Sequence, residues 1–585
     1  MRMQIGAFLV RRLTEAGVHH LFGVPGDYNL SFLEQILEAD GIEFVGNCNE
    51  LNAAYAADGY ARTSRLAAFV TAFGVGDLGA IAGVAGSYAE NLPVVHITGT
   101  PPLHAMERRE LMHHTLVDGD FDNIGRCLSE FTVARARITP ANAAIEIDRV
   151  LQACWRERRP VHLELPSDIT HICVDVPDTP LILEDPSSDP EQLHVATHRI
   201  VEMLAASHAP AILFDADADR FGITDLILKL AEKCNIPCVS LVPAKGILDE
   251  TSDYYVGTYV GAGSGEPVRS IVERSDCLIG IGLRFTDTST MLFTQHIDAD
   301  AFIDLRRHDL SIAGTQMPGV TLRDILANVL YAAKPVPFNL NWMHVANNKP
   351  IASEERDSGA LTQASFWSRI RGFLQPGDVI FGESGTSNSA LLSMPLPPGS
   401  TYVAQPIWGA IGYTLPALFG SLVGASTRRH LLFIGDGAFQ LTAQELSSIL
   451  WRGLKPIIFL LNNAGYTIER LILGEKSSYN DIANWRYAEL PRVFDRCDRS
   501  LSLVVENVTQ LEVALVQAEA SDKLVFIEVK LPMMDAPESL KKFAKLFADF
   551  DYGERGPRNP APTANASRPL EEVTAAGYPF EQALN

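Results

Sequence analysis

The stretch "IGDGAFQLTAQELSSILWRGLKPIIFLLNN", Ile434 to Asn463, reads as a strand, a tight glycine turn, a helix and a second strand that stops on two asparagines. An Asp-Gly pair between apolar runs is the strongest short hairpin signal, but a hairpin needs a strand directly after Gly437. The residues that follow are helical instead. Thr442 and Glu445 are spaced as a capping box, Leu446, Ile449 and Leu450 repeat at helical intervals, and Gly453 can end the helix. Asp436 and Asn463 then both lie at carboxyl ends of parallel strands, where open α/β sheets bind ligands. One carboxylate, one amide oxygen and the carbonyl of a nearby residue such as Gly465 offer three hard oxygen ligands. They form a partial octahedron suited to Mg2+, whose other positions are usually taken by phosphate and water. Gly435 and Gly437 let the backbone approach those phosphates, and the following helix turns its N-terminus toward them. Two readings stand: a metal-bridged diphosphate site, or a turn that happens to carry a polar cap.

Working outward, 585 residues are too many for one hydrophobic core. Three α/β blocks separate by composition. Residues 1–182 alternate strand-like runs ("HHLFGVP", "IEFVGNC", "LAAFVTAF", "LPVVHITGT", "PVHLELP") with helical patterns, which implies a parallel sheet covered on both faces. A proline- and acid-rich linker leads to a second block, 190–340, and another polar connection leads to a third, 358–545. Residues 550–585 are proline-rich with little apolar periodicity and read as an appended tail. A formal net charge of -23 argues against nucleic acid as a partner, so a small molecule is the default. No uncharged apolar stretch reaches the roughly 20 residues needed to span a bilayer. The N-terminus reads as an amphipathic helix, and membrane association is not expected. Eight scattered cysteines without a CxxC pair fit reduced thiols in a cytoplasm.

Several separated motifs then converge: "FGVPGDYN", "NELNAAYAADGYAR", "ELMHHTLVDGD", "WGAIGYT", and a GDG-to-NN unit ending in "NNAGYTIE". Together they resemble the thiamine diphosphate-dependent 2-oxo acid decarboxylases of the pyruvate and indolepyruvate decarboxylase family, over roughly residues 3 to 545. The resemblance implies three doubly wound parallel-sheet domains: a pyrimidine-binding domain, a central domain and a diphosphate-binding domain. It implies thiamine diphosphate with Mg2+ held by Asp436, Asn463 and Gly465, and further cofactor contacts from Thr386, Gly409, Ile411, Gly435, Gly437, Ala438, Tyr466, Thr467 and Ile468.

Read alone, Glu50 is a helix-capping acid, Asp27 a turn residue, Ile411 a core residue and Glu469 a surface charge. By resemblance, Glu50 is the carboxylate that activates the aminopyrimidine ring, Ile411 the apolar wedge below the two cofactor rings, and Gly409 offers its carbonyl to the amino group. His113 and His114 are adjacent, so they lack the i, i+4 spacing of a helical metal pair. They resemble the paired histidines of the decarboxylases, which with Asp27 and Glu469 relay protons near the substrate. Ser384, Asn388, Ser389, Ile468 and Ile472 are expected to line the substrate pocket. Ala438 stands where many relatives have serine, and Ser389 where an aromatic residue is usual. Ile468 restricts the pocket while Ser389 opens it, so the pocket residues point both ways; the first 180 residues most resemble indolepyruvate decarboxylases, which implies an aromatic or bulky 2-oxo acid over pyruvate.

The competing readings are a carboligase that forms 2-hydroxy ketones from the same intermediate, and a non-catalytic subunit, which predicts loss of an acid at Glu50, Asp436 or Glu469. Gly74, Gly76 and Gly79 fit G-x-G-x-x-G, but the next strand ends without a ribose-binding acid, so NAD is not expected. The resemblance places this loop near the cofactor and the subunit contact. It further implies a homodimer as the smallest active unit and a homotetramer as a common assembly.

Overall fold

The computed structural model describes residues 1–336 and 361–552. The second polar connection lies largely outside them, and of the expected tail only 550–552 are described, as the end of helix Glu538–Tyr552. The first sheet has six parallel strands in the order Glu43–Gly46, His20–Gly23, Ala67–Ala72, Val94–Thr100, Val161–Pro166, Arg135–Arg137. Ala67–Ala72, Val94–Thr100 and Val161–Pro166 are buried throughout because helices cover both faces; the first is a nearly continuous apolar run, while the other two also bury His96, Thr98, His162 and Glu164. Helix Ile5–Glu15 is the amphipathic helix expected at the N-terminus. An antiparallel pair, Arg2–Gln4 with Cys173–Asp175, ties that end to the linker.

The third sheet repeats the same topology in the order Thr401–Val403, Val379–Gly382, His430–Gly435, Ile457–Asn462, Leu524–Lys530, Ser500–Val505, again all parallel. In each sheet the chain lays its second strand on one side of the first and then crosses back to the other side for the third, which opens a crevice outside the carboxyl ends of the first and third strands. In the first sheet those ends lead into Asp27 and the Gly74 turn. In the third they lead into Glu383 and Asp436.

The central sheet departs from a purely parallel one. Five parallel strands continue into an antiparallel hairpin, Asp309–Ile312 and Thr315–Pro318. Its own crevice, between Pro210–Phe214 and Cys277–Ile281, is filled by polar contacts to the first block. Asp217 Oδ1 accepts from Asn91 at 2.8 Å, and Arg284 Nη1 donates to the Ala89 carbonyl at 2.5 Å.

First and third blocks meet where helix Glu50–Ser64 crosses helix Thr414–Gly424. The approach needs glycine: a Cβ on Gly420 would lie 1.8 Å from the Ala56 carbonyl oxygen, and one on Gly59 2.0 Å from that of Ala417. Beside the crossing, Asp58 accepts from Tyr413 Oη, from Arg62 Nε at 2.8 Å and from Ser87 Oγ at 2.8 Å. All are buried.

The capping box expected at Thr442 and Glu445 is not formed. The helix begins at Asp436, runs to Thr442, and resumes as Glu445–Trp451 after Gln444, whose side chain makes no capping bond. Thr442, already helical, donates to the Gly412 carbonyl at 2.7 Å. Glu445 is fully buried and accepts from three first-block donors: Asn47 Nδ2 at 2.9 Å, Asn52 Nδ2 at 2.8 Å and Cys48 N at 3.3 Å. Sequence spacing alone does not distinguish a local cap from an acid bonded across domains.

Candidate active site

Asp436 is the first residue after strand His430–Gly435 and is buried. Its Oδ1 accepts from Gly437 N at 2.9 Å and its Oδ2 from Gly465 N at 3.2 Å. Burial pushes its carboxyl up to about 6, opposed only by backbone hydrogen bonds. Ala464, at φ 58°, and Gly465, at φ 129°, reverse the chain beyond Asn463. A left-handed alanine costs about 1–2 kcal/mol. The reversal brings the Asn463 side-chain oxygen to 2.9 Å from the Gly465 carbonyl oxygen and 3.1 Å from Asp436 Oδ1. Three oxygens then face one another without a hydrogen between them.

Turning the amide over would let its NH2 donate to both neighbours. Two facts favour the oxygen-in orientation with a cation. The Asn463 NH2 lies 2.7 Å from Thr467 Oγ1, and the hydrogen of that hydroxyl is already given to the Met533 carbonyl at 2.8 Å, so Thr467 can only accept. The separations also match the edges of an octahedron, about 3.0 Å for Mg2+ ligand distances of about 2.1 Å. The neighbouring backbone leaves room for a phosphate-bearing group, since a Cβ built on Gly385, Gly409 or Gly435 meets nothing within 4 Å. The residues present therefore fit a diphosphate with its divalent metal.

Around this end lie most of the other residues singled out from the sequence. Gly437 is buried against Tyr466, whose ring leaves no room for a Cβ, and Ala438 is buried beside it. Tyr466 precedes helix Thr467–Ile472, which carries buried Thr467, half-buried Ile468 and Ile472, and exposed Glu469. Ser384 and Gly385 lead into helix Thr386–Leu392, with Thr386 buried. Asn388 and Ser389 are engaged: Tyr402 Oη donates to Asn388 Oδ1 at 2.5 Å, and Ser389 Oγ lies 2.7 Å from Ser539 Oγ of helix Glu538–Tyr552. Ile411 is 37% exposed on the loop between Gln405 and Thr414.

Glu50 is the first residue of helix Glu50–Ser64, but it is not the cap. Asn49 is, with its side-chain oxygen accepting from Asn52 N at 2.8 Å. The Glu50 carboxylate is half-buried against the glycine turn, where a Cβ on Gly76 would lie 3.4 Å from its Oε1 and one on Gly79 3.6 Å from its Oε2. The same turn supports the histidines, because a Cβ on Gly74 would lie 1.9 Å from the His114 carbonyl oxygen. Asp77 fixes the turn from below: Gly74 N donates to its Oδ2 at 3.1 Å, and Thr71 and Thr98 hydroxyls donate to its Oδ1 at 2.6 Å. His113 Nε2 lies 2.7 Å from Asp27 Oδ2, and its Nδ1 lies 3.1 Å from Tyr28 Oη. An ionised carboxylate only accepts, so Nε2 carries a hydrogen toward Asp27, and in the neutral ring Nδ1 is the acceptor that shares the Tyr28 hydroxyl with the His113 carbonyl, 3.3 Å away. The His114 ring packs edge-on at 4.6 Å from that of His113.

Asp27 with the histidines, Glu50 with the glycine turn, and Asp436 with Asn463 and Gly465 are thus three assembled groups. Tyr28 and Glu383 escaped the sequence reading, which gave Glu445 only as part of a local cap. Tyr28 had a signal in its place beside Asp27; the other two are single acids whose partners are distant in sequence.

Three family models match the chain. Residues 3–122 match the thiamine pyrophosphate enzyme N-terminal TPP binding domain, 197–329 its central domain and 383–529 its C-terminal TPP binding domain. The chain is 38% identical to an alpha-keto-acid decarboxylase of Mycobacterium leprae, covering 92% of this chain and 94% of that protein. It is also 38% identical to one of Mycobacterium ulcerans, over 94% and 97%, and 39% identical to one of Mycobacterium tuberculosis, over 92% and 96%. With such identity along nearly the whole of both proteins, the chain belongs to the thiamine pyrophosphate enzyme family, and thiamine diphosphate, the same compound, is its cofactor.

Proposed function

We propose that this protein removes CO2 from a 2-oxo acid without oxidation and releases the aldehyde, using Mg2+ to hold the cofactor diphosphate. Bound thiamine diphosphate supplies the electron sink that this step requires and that no side chain offers. Asp436, the Asn463 side-chain oxygen and the Gly465 carbonyl would hold the metal. Glu50 would exchange a proton with the aminopyrimidine ring, and Ile411 would pack against the cofactor's rings. Asp27, His113, His114 and Glu469 orient the substrate carboxylate and return a proton to carbon after CO2 has left.

The observation that carries the reading is the Asp27–His113 contact with His114 packed against it. A proton source beside the reacting carbon favours aldehyde release, whereas a carboligase must keep that carbon unprotonated until a second carbonyl arrives. The names of the mycobacterial relatives point the same way. We read the substrate as an aromatic or bulky 2-oxo acid, with pyruvate the alternative.

Apolar side chains exposed on the single chain lie beside the histidines, Glu50 and Ile411: Leu111 and Leu116 flank the histidines in sequence, Val75 lies in the glycine turn against Glu50, and Trp408 and Leu441 lie on and against the loop of Ile411. They support a homodimer in which a second copy covers these groups, with a tetramer built from two such pairs. Among the described residues no helix is long and apolar enough to cross a membrane. All eight cysteines are free, which fits a reducing cytoplasm.

The test is CO2 and aldehyde formation from pyruvate, branched-chain oxo acids, phenylpyruvate and indolepyruvate, with cofactor and Mg2+ present or omitted. Cofactor-dependent aldehyde from one class is the expected outcome. Stoichiometric 2-hydroxy ketone in place of aldehyde would move the assignment to carboligation.

A further inference from the structure

The loop that presents Ile411 is held by every block of the chain. Gln405 begins it, accepting from Gly409 N at its carbonyl (3.0 Å) and from Ala410 N at its side-chain oxygen (3.2 Å). From the central block, Thr288 Oγ1 donates to the Pro406 carbonyl at 3.0 Å. From the first block, buried Glu90 accepts at Oε1 from Ile407 N at 2.9 Å and Trp408 N at 3.4 Å. From the third, Thr442 binds the Gly412 carbonyl, and Glu383 takes the largest share. Glu383 Oε2 accepts from Gly412 N at 3.2 Å, Thr414 N at 3.3 Å and Thr414 Oγ1 at 2.6 Å. Its Oε1 accepts from Ser384 N at 2.9 Å, so the same side chain fixes the turn into Thr386.

Glu383 is 1% exposed, and among the described residues it makes no ion pair with a lysine, arginine or histidine. Burial accordingly pushes its carboxyl above the ordinary value, and donors from Thr414, Ser384 and Gly412 pull it back. A buried carboxylate without a cation is an expensive way to stabilise a fold. What it offers in return is four converging acceptor sites on one rigid group, three of them occupied within three residues of Ile411. A neutral amide of the same shape has only one oxygen, and its NH2 would meet a backbone N–H.

We propose that Glu383 is a positioning residue for the reaction, seconded by Glu90: it fixes the loop 405–414 so that Ile411 sits where the folded cofactor needs its wedge. The inference rests on the thiamine diphosphate reading above and concerns the cofactor more than the substrate. Glu383 touches no reacting atom; it acts through the loop.

The test is the rate at which the C2 proton of bound thiamine diphosphate exchanges with deuterium oxide in the Mg2+ holoenzyme, read by NMR after acid quench. It needs no identified substrate. Glu383→Gln should slow exchange roughly 10²-fold, the scale expected when a positioning group shifts by about an ångström. kcat should fall in step while KM for the oxo acid stays within about threefold. Exchange within about twofold of the parent, in folded variant protein with cofactor bound, overturns the proposal. If Glu383→Gln does not fold, Thr414→Val and Thr414→Ser decide. The serine variant keeps the hydroxyl on Glu383 and should exchange faster than the valine variant, and equal rates overturn the proposal. Failure of the parent itself to bind the cofactor would overturn the function reading, a result distinct from normal exchange in the variant.

Discussion

At the scale of single residues, the metal end turns on protons. The folded metal-free protein holds the Asp436 proton more tightly than the unfolded chain, because burial raises that carboxyl from about 4 to about 6. The group therefore binds more protons folded than unfolded between those values, and raising the pH through the window destabilises the metal-free protein, by roughly 3 kcal/mol once Asp436 is fully ionised. Mg2+ with cofactor should reverse this loss, so the gain in Tm on adding both should be larger at about pH 7.5 than at about pH 5. Equal gains would show that Asp436 is not the ligand. Asp436→Ala should abolish Mg2+-dependent cofactor retention, measured by gel filtration of the loaded protein; retention that persists without metal contradicts the ligand set. Glu50→Gln should lower kcat by roughly 10²- to 10⁴-fold with circular dichroism unchanged, and near-normal turnover would remove Glu50 from the activation step. Asp436 and Asn463 were legible in sequence because two buried strands, joined by a crossover helix, both end in polar groups that need a ligand to satisfy them. The left-handed Ala464 that turns the Asn463 oxygen inward was not, since its strain makes sense only with the ring of ligands it completes.

Among elements, the sequence misled where a local pattern coincided with a distant contact. Thr442 and Glu445 have the spacing of a cap, yet each bonds elsewhere: Thr442 to the loop of Ile411, Glu445 to the segment that leads into Glu50. Strands were more legible, because burial on both faces leaves short, mostly apolar runs such as Ala67–Ala72 and Ile457–Asn462 that no surface helix shares. The hairpin Asp309–Ile312 and Thr315–Pro318 was missed since its four-residue strands are half polar, one of them mostly exposed. The crossing of Glu50–Ser64 and Thr414–Gly424 gives a prediction at this scale. Gly420→Ala places a methyl against the Ala56 backbone, which cannot rotate away, so the helices must separate. Overpacking of this kind costs about 1–3 kcal/mol, and a lower midpoint in denaturant with an unchanged circular dichroism spectrum is the expected result. An unchanged midpoint would mean that the crossing is looser than described.

For the whole molecule, three blocks were countable from composition, but the way they close on one another was not. No local pattern in the sequence pairs Glu90 with Ile407, or Glu445 with Asn47. If the apolar rim around Glu50, His113 and Ile411 is covered by a second copy, specific activity should fall on dilution in parallel with dissociation to monomers seen by light scattering. Full activity in a demonstrated monomer would rule this out. The glycine crossing has a further consequence, for synthesis. Tyr413 and Asp58, which bond beside it, are 355 residues apart in the chain. At roughly 5–20 residues per second a ribosome needs about 20–70 s to make the second after the first. Throughout that interval the small-residue face of helix Glu50–Ser64, with its buried aspartate, has no partner and stands open to chaperones or to a neighbouring nascent chain.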